Sequence, residues 1–139
     1  MKTLKFDIPL YNIHVDLVQV ETKDDKDGVI KFMRAIKCEQ EFINEFADYI
    51  ERGYYDGGST YRDMDLRKIL VIFYPMSDEE TRADVYAHEK RHIEDRVMQF
   101  TSVDDIESAG LLAGYLGRMF YRFNNLVNKS NKVVTCIKR

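Results

Sequence analysis

The segment VYAHEKRHIEDRVMQF, residues 85–100, places His88 and His92 four positions apart, with Glu89 directly after the first histidine. This is an H-E-x-x-H pattern, and it holds two of the three histidines in the chain. Residues four apart on a helix project from the same face on consecutive turns. If the segment is helical, the two imidazoles can reach one metal ion. The alternative is a charged helix that carries two histidines by chance.

The residues around the motif predict a strand, the motif helix and a further helix. RKILVIFYP, residues 67–75, is rich in β-branched and aromatic side chains and is typical of a strand that ends at Pro75. Ser77 and Glu80 have the spacing of a capping box, which predicts a helix over about 78–99. After the loop FTSVDD, the last helix is predicted over about 104–127.

The remaining residues complete an α+β domain. Residues 10–21 alternate with period two, which indicates a half-buried strand. Residues 29–52 have helical periodicity that ends at Gly53, and Gly57-Gly58 favours a turn. The tyrosine-rich segment 52–61 fits either this hairpin turn or the wall of a substrate groove. The predicted order is β-α-β-β-α-α in a single domain of residues 1–139.

Composition narrows the class of protein. The chain has 139 residues, 45% of them hydrophobic, and a net charge of −3, which argues against a nucleic-acid partner. Charged residues interrupt the apolar residues of the N-terminal segment, and no stretch is long enough to cross a membrane. Cys38 and Cys136 lie far apart without metal-site spacing, so reduced thiols and a cytoplasmic location are expected.

The motif itself predicts zinc chemistry. Zinc prefers nitrogen and sulfur donors in tetrahedral geometry, and a catalytic site leaves one position open to water. Glu89 lies about 100° around the helix from His88, beside the expected ion, where its carboxylate can take a proton from water. Lys90 and Arg91 are basic residues inside the motif that the helix can turn outward.

A third ligand is required, and several carboxylates follow the motif. Asp95 lies one turn past His92, where it can accept a hydrogen bond from a histidine ring, but three ligands from one straight helix are geometrically poor. Glu107 is the preferred ligand because glycines share its face of the last helix and would allow close approach to the motif helix. The candidate ligands are Glu94, Asp95, Asp104, Asp105 and Glu107, and the glycines are Gly110, Gly114 and Gly117.

An H-E-x-x-H pattern followed by a glutamate on the next helix resembles the gluzincin type of zinc metallopeptidase. More closely, AHEKRH followed by ESAGLLAGYL resembles small zincin-like proteins of phages and mobile elements, with a looser similarity to ImmA/IrrE-type peptidases. The resemblance implies a minimal zincin-like domain in which a small twisted sheet packs on the motif helix. It also implies zinc bound by His88, His92 and Glu107, with Glu89 as general base.

The resulting expectation is hydrolysis of a peptide bond in a peptide or protein substrate. The alternative is a non-catalytic zincin-fold binding or structural protein of a mobile element. The strand at 68–74 could pair with an extended substrate if it lies at the edge of the sheet. Tyr115 and Arg118 are candidates for oxyanion or substrate contacts, although ordinary packing explains each of them more simply. His14 is expected to have a structural role.

Overall fold

The computed structural model of the protein describes residues 1–102 and 105–137, and the side chains of residues 1–102 and 105–129. Four strands form one sheet: β1 (Lys2–Ile8), β2 (Ile13–Gln19), β3 (Gly58–Asp63) and β4 (Lys68–Phe73). Their order is β1-β2-β4-β3. The pairs β1–β2 and β3–β4 are antiparallel, whereas β2 and β4 are parallel.

The helices account for the rest of the fold. A 3₁₀ turn over Lys23–Asp25 leads into α1 (Lys26–Ala35), which is followed by α2 (Gln40–Glu51), α3 (Glu79–Thr101) and α4 (Ile106–Ile137). With its mixed sheet and four α-helices, the chain has the predicted α+β composition. Among the residues that the structure describes, no helix combines the length and apolar character needed to span a membrane.

The two central strands, β2 and β4, are buried on both faces because helices pack on both sides of the sheet. Alternate residues of β4 point to opposite sides: Ile69, Val71 and Phe73 contact the α3–α4 core, while Leu70 and Ile72 contact the α1–α2 core. Strands covered on both faces carry continuous apolar runs. The strand predicted within 10–21 is confirmed as β2, but the prediction that it is half-buried was wrong, because helices cover both of its faces.

The observed elements differ from the prediction in the N-terminal half. The helix predicted over 29–52 is two helices, separated where Lys37 adopts a left-handed conformation with φ of 63°. β1 was not predicted, the strand predicted before β4 had no assigned residues, and Gly58 begins β3 rather than forming a turn. The chain therefore contains two β-hairpins joined by a parallel pairing.

Helix α3 begins one residue from its predicted start, but with a different cap. The Asp78 carboxylate accepts a hydrogen bond from the Thr81 amide at 2.7 Å, so Asp78 takes the capping role expected of Ser77. The Tyr86 hydroxyl donates to the buried Gln19 side chain at 2.6 Å and fixes the first half of α3 against the end of β2. Asp104, a candidate ligand, lies outside the described residues.

The glycines of α4 do not form the close contact predicted for them. Among the described residues, a Cβ built on Gly110 or Gly114 would meet no atom within 4 Å outside the adjacent helix backbone, and one on Gly117 would lie 3.8 Å from Lys90 Cε. The apolar side of α4 packs on the sheet and on α3 instead. Its buried residues are Leu112, Leu116, Met119, Phe120, Phe123 and Val127.

Candidate functional site

The two motif histidines converge on the exposed surface of α3. His88 Nε2 and His92 Nε2 lie 2.9 Å apart, with ring planes at 85°. Two zinc–nitrogen bonds of about 2.0–2.1 Å at a tetrahedral angle would separate their nitrogens by about 3.3 Å. A small rotation of either ring therefore brings the pair to the spacing that a zinc ion requires, so these two donors fit the metal.

Glu89 is buried beside the pair and is held against the sheet. It lies between Tyr86 and Ile93 on the core-facing side of α3, and 8% of its surface is exposed. Its Oε2 accepts a hydrogen bond from the Thr60 hydroxyl at 3.0 Å. Gly58 leaves room for it, since a Cβ there would lie 3.2 Å from Glu89 Cγ and Oε1. Two residues of β3 thus fix the position of this carboxylate.

β3 is an edge strand. The hydrogen bonds that β4 makes indicate which backbone groups of β3 are free. Val20 N–H donates to Phe73 C=O at 2.9 Å, so the odd-numbered residues of β4 direct their backbone groups to β2. Tyr74 N–H donates to Gly57 C=O at 2.9 Å, so the even-numbered residues face β3. In the register of β3 with β4, these even-numbered residues pair with odd-numbered residues of β3.

The N–H and C=O groups of Gly58, Thr60 and Arg62 therefore point out from the free edge of the sheet, because backbone groups alternate in direction along a strand. The same three residues turn their side-chain positions towards α3. The strand at 68–74 could pair with a substrate only at the edge of the sheet, and this condition is not met because β4 is an internal strand. β3 is the strand that lies beside the motif.

Two open cavities run along β3 and meet at Glu89; together we call them the motif groove. The cavity on the His88 side has a volume of about 450 Å³, and the one on the His92 side about 230 Å³. The first is lined by Tyr54, Asp56, Gly57, Gly58, Asp84, Val85, His88 and Glu89. The second is lined by Thr60, Arg62, Glu89, His92 and Arg96.

The third predicted ligand does not lie with the other two. Within the described part of the chain, no group of three or more His, Cys, Asp or Glu side chains is close enough to hold a metal ion. Glu107 lies exposed in the first turn of α4, on the same side as the open Gly110 and Gly114. The side of α4 that faces the core is apolar, so this helix turns Glu107 away from it.

The charged residues within and after the motif pair with one another. Asp95 lies 3.4 Å from Arg91, while the ring of His92 contacts His88 rather than Asp95. Lys90 is turned towards α4 and lies 3.1 Å from Glu94, so only Arg91 has the outward position expected of both basic residues. These i,i+4 pairs support the helix itself.

Tyr115 and Arg118 lie at the opposite edge of the sheet from the motif groove. The Tyr115 hydroxyl donates to the Asp7 carbonyl at 2.7 Å, and its ring contacts Phe6 of β1. The Arg118 guanidinium stacks over the Tyr115 ring at 5.8 Å. Neither side chain lines the groove, and packing explains both.

The third histidine belongs to a polar cluster on the α1–α2 side of the sheet. His14 lies 2.9 Å from Asp7 and 3.2 Å from the buried Asp16, which agrees with a structural role. Cys38 is buried nearby as a free thiol. Burial, reinforced by the negative charge of Asp16, raises the pKa of the Cys38 thiol to about 11.

The residues that sequence reasoning missed are those that β3 contributes. Gly58, Thr60 and Arg62 face the motif, whereas Ser59 and Tyr61 face the other side, where they contact Tyr74 and Phe42. This alternation is present in the segment GSTYRD, residues 58–63, and could have indicated a strand. Its polar residues and the glycine pair favoured the interpretation as a turn.

Comparison with known proteins gives no family assignment. No protein-family model, curated protein or solved structure matches this chain. The resemblance to zincin-like proteins is therefore a hypothesis that rests on two helical motifs.

Proposed function

We propose that the protein is a zinc-dependent peptidase with a minimal zincin-like arrangement of helix and edge strand. The observation that carries the proposal is the convergence of His88 Nε2 and His92 Nε2 at 2.9 Å beside the buried carboxylate of Glu89. Two nitrogen donors, an acid–base group and a free strand edge are the parts that such a reaction uses.

In this proposal His88 and His92 hold the metal, and Glu89 handles the proton. When bound, zinc would activate a water molecule and polarise the carbonyl group that is attacked. Glu89 takes a proton from water and later gives it to the leaving amine. The Thr60 hydroxyl, 3.0 Å from Glu89 Oε2, keeps the carboxylate oriented during both transfers. Burial of Glu89 limits competing contacts with solvent.

The free edge of β3 would bind the substrate. An extended peptide can add to an exposed edge through main-chain hydrogen bonds. The outward N–H and C=O groups of Gly58, Thr60 and Arg62 are available for this pairing. Because Thr60 also contacts Glu89, a peptide bound along the edge would have a backbone carbonyl close to the acid–base group.

The metal part of the proposal is tested by elemental analysis of purified protein. Wild type should contain close to one zinc per chain. His88→Ala and His92→Ala should each lose most of it, because each variant removes one of the two histidine ligands. His14→Asn is the matched control, because His14 lies in a different cluster and should not affect zinc content. Full zinc retention in both motif variants would rule out the assignment.

The third ligand is assigned by measuring the zinc affinity of further variants in competition with a chelator. If Glu107 reaches the metal in the loaded protein, Glu107→Ala should lower zinc affinity strongly. Asp95→Ala should then have a smaller effect, on the order of 10–100-fold, as expected for a residue that only supports a ligand. The opposite ranking would identify Asp95 as the ligand. Unchanged affinity in both variants would show that neither is one.

The catalytic part is tested with Glu89→Gln, which keeps the shape of the side chain but cannot accept the proton. This variant should fold and bind zinc like wild type and lose hydrolysis by about 10²–10⁴-fold. If wild type and Glu89→Gln cleave a substrate equally well, the activity does not depend on Glu89.

A non-catalytic peptide-binding protein is the second candidate. It is favoured by the absence of a third metal donor beside the histidine pair among the described residues. Under this alternative the motif groove binds an extended peptide, and Glu89→Gln leaves all measurable function intact.

A further inference from the structure

The two ends of the motif groove carry opposite charge. The cavity on the His88 side contains the carboxylates of Asp56 and Asp84 and no lysine or arginine. The cavity on the His92 side contains the guanidinium groups of Arg62 and Arg96. Glu89 lies where the two cavities meet, so the charge changes sign across the proposed acid–base group.

Both walls of the groove have this polarity independently. On α3, residues at four-residue spacing run from Asp84 through the two histidines to Arg96, which places them along one side of the helix. On the strand wall, residues at two-residue spacing run from Asp56 through Gly58 and Thr60 to Arg62. The helix and the strand therefore present acidic groups at one end and basic groups at the other.

These charges are available to a ligand. Among the described residues, neither Asp84 nor Arg62 nor Arg96 forms a salt bridge within 4.0 Å. Their neighbours on α3 differ, since Lys90 pairs with Glu94 and Arg91 with Asp95. The Asp56 carboxylate accepts hydrogen bonds from the backbone and hydroxyl of Ser77, which hold it in place and leave its charge uncompensated.

The direction of β3 determines which end of a bound peptide lies beside the acidic residues and which lies beside the basic residues. β3 runs from the acidic end of the groove to the basic end. Antiparallel pairing is the more stable arrangement of two strands, and it places the N-terminal part of the peptide beside Arg62 and its C-terminal part beside Gly58. Gly58 and Arg62 are four residues apart, and side chains on one side of an extended peptide recur every second residue.

We infer that the motif groove selects an extended peptide in which an acidic residue is followed, two to four positions later, by a basic residue. The acidic side chain lies between Arg62 and Arg96, and the basic side chain lies between Asp56 and Asp84. Tyr54 adds an aromatic face beside the basic side chain. If the proposed peptidase function holds, on which this part of the inference rests, the bond cleaved lies between the two charged residues.

The test measures binding, so it does not depend on hydrolysis. Three end-blocked fluorescent peptides of equal length are titrated with full-length protein and followed by fluorescence anisotropy. They carry Glu before Lys, Lys before Glu, or Gln at both positions. The Glu-before-Lys peptide should bind on the order of tenfold tighter than either of the others, because two exposed charge pairs contribute only modestly. This preference should shrink at 0.5 M salt, where screening is stronger.

Neutralised variants assign the preference to the groove. Asp84→Asn and Arg96→Gln should each reduce the difference between the charged and neutral peptides severalfold. Arg91→Gln is the matched control, since it removes one charge from the same helix outside the groove. Equal affinity for all three peptides, tighter binding of the reversed peptide, an equal effect of the control, or no binding would overturn the inference.

The outcomes separate this inference from the proposed function. Selective binding without cleavage would contradict the peptidase proposal and support the charge selection. Cleavage of all three peptides at equal rates would support the peptidase and contradict the selection.

Discussion

Glu89 is the residue on which the candidate site depends, and its position is set by a residue without a side chain. Gly58 lies against Glu89 Cγ and Oε1, and Thr60 binds the carboxylate two residues further along β3. A methyl group at position 58 would lie 3.2 Å from Glu89 Cγ and Oε1, closer than an ordinary contact, so the Glu89 side chain would have to shift. The geometry of the acid–base group is therefore determined by β3 as much as by the motif.

Gly58→Ala should lower hydrolysis at least tenfold while zinc content stays unchanged, because the displaced carboxylate is poorly oriented for proton transfer. Ser59→Ala is the matched control, since the Ser59 hydroxyl contacts Tyr74 on the opposite side of the sheet. The activity of each variant is compared with its zinc content. Loss of zinc in Gly58→Ala would show that Gly58 supports the metal site instead.

The sequence identified the motif residues and not their partners. His88 and His92 could be placed together because helix geometry alone fixes an i,i+4 pair. Thr60 lies 29 positions from Glu89, and no local rule joins the two. His92 is three residues before Asp95 and Arg91 is four residues before it, so helix spacing alone allowed either partner, and Asp95 pairs with the charged Arg91.

At the scale of elements, the glycines of α4 are the clearest departure from expectation. A glycine inside a helix costs about 1 kcal/mol relative to alanine. Gly110 and Gly114 have open space where a Cβ would lie, so this cost is not offset by close packing within the described residues.

Gly114→Ala should therefore raise the free energy of unfolding by about 0.5–1 kcal/mol, and Gly110→Ala should do the same. Urea denaturation of each variant measures the change. Gly53→Ala serves as a contrast, because Gly53 has a φ of 74° and alanine there should be destabilising. A loss of stability in Gly114→Ala would indicate that this face is in contact with another surface.

Elements with a long and consistent pattern were predicted well, and short ones were not. The motif helix was placed over 78–99 and is observed over Glu79–Thr101, and the strand rich in β-branched residues became β4. β1 has an exposed lysine at one position and an aspartate at another, which weakens its pattern. The break at Lys37 separates two segments that share one helical periodicity, so composition alone could not locate it.

At the scale of the molecule, burial on both sides of the sheet makes the protein sensitive to alkaline conditions. Burial raises the pKa of the Cys38 thiol to about 11, and it also raises the pKa of the Tyr74 and Tyr86 hydroxyls. An unfolded thiol loses its proton at about pH 8.5, whereas the folded one retains it. The unfolded state is therefore favoured as pH rises from about 8.5 to 11.

Thermal unfolding between pH 7 and 11 should show a melting temperature that is steady at first and falls above about pH 8.5. Cys38→Ala should make the fall shallower, because this variant has no thiol to ionise. An equal slope in both proteins would show that Cys38 does not contribute, and the tyrosines would then account for the remaining loss.

The parallel pairing of β2 with β4 also has a consequence for the order in which the protein folds. The β1–β2 and β3–β4 hairpins each close a turn of four residues, so they can form early and independently. Their junction pairs His14 with Lys68, which lie far apart in the chain, with α1 and α2 between them. Closing so long a loop is entropically costly, and such pairings slow folding. We expect the transition state to form at this junction, so that truncating Val71 slows refolding more than truncating Leu4 at the outer edge of β1.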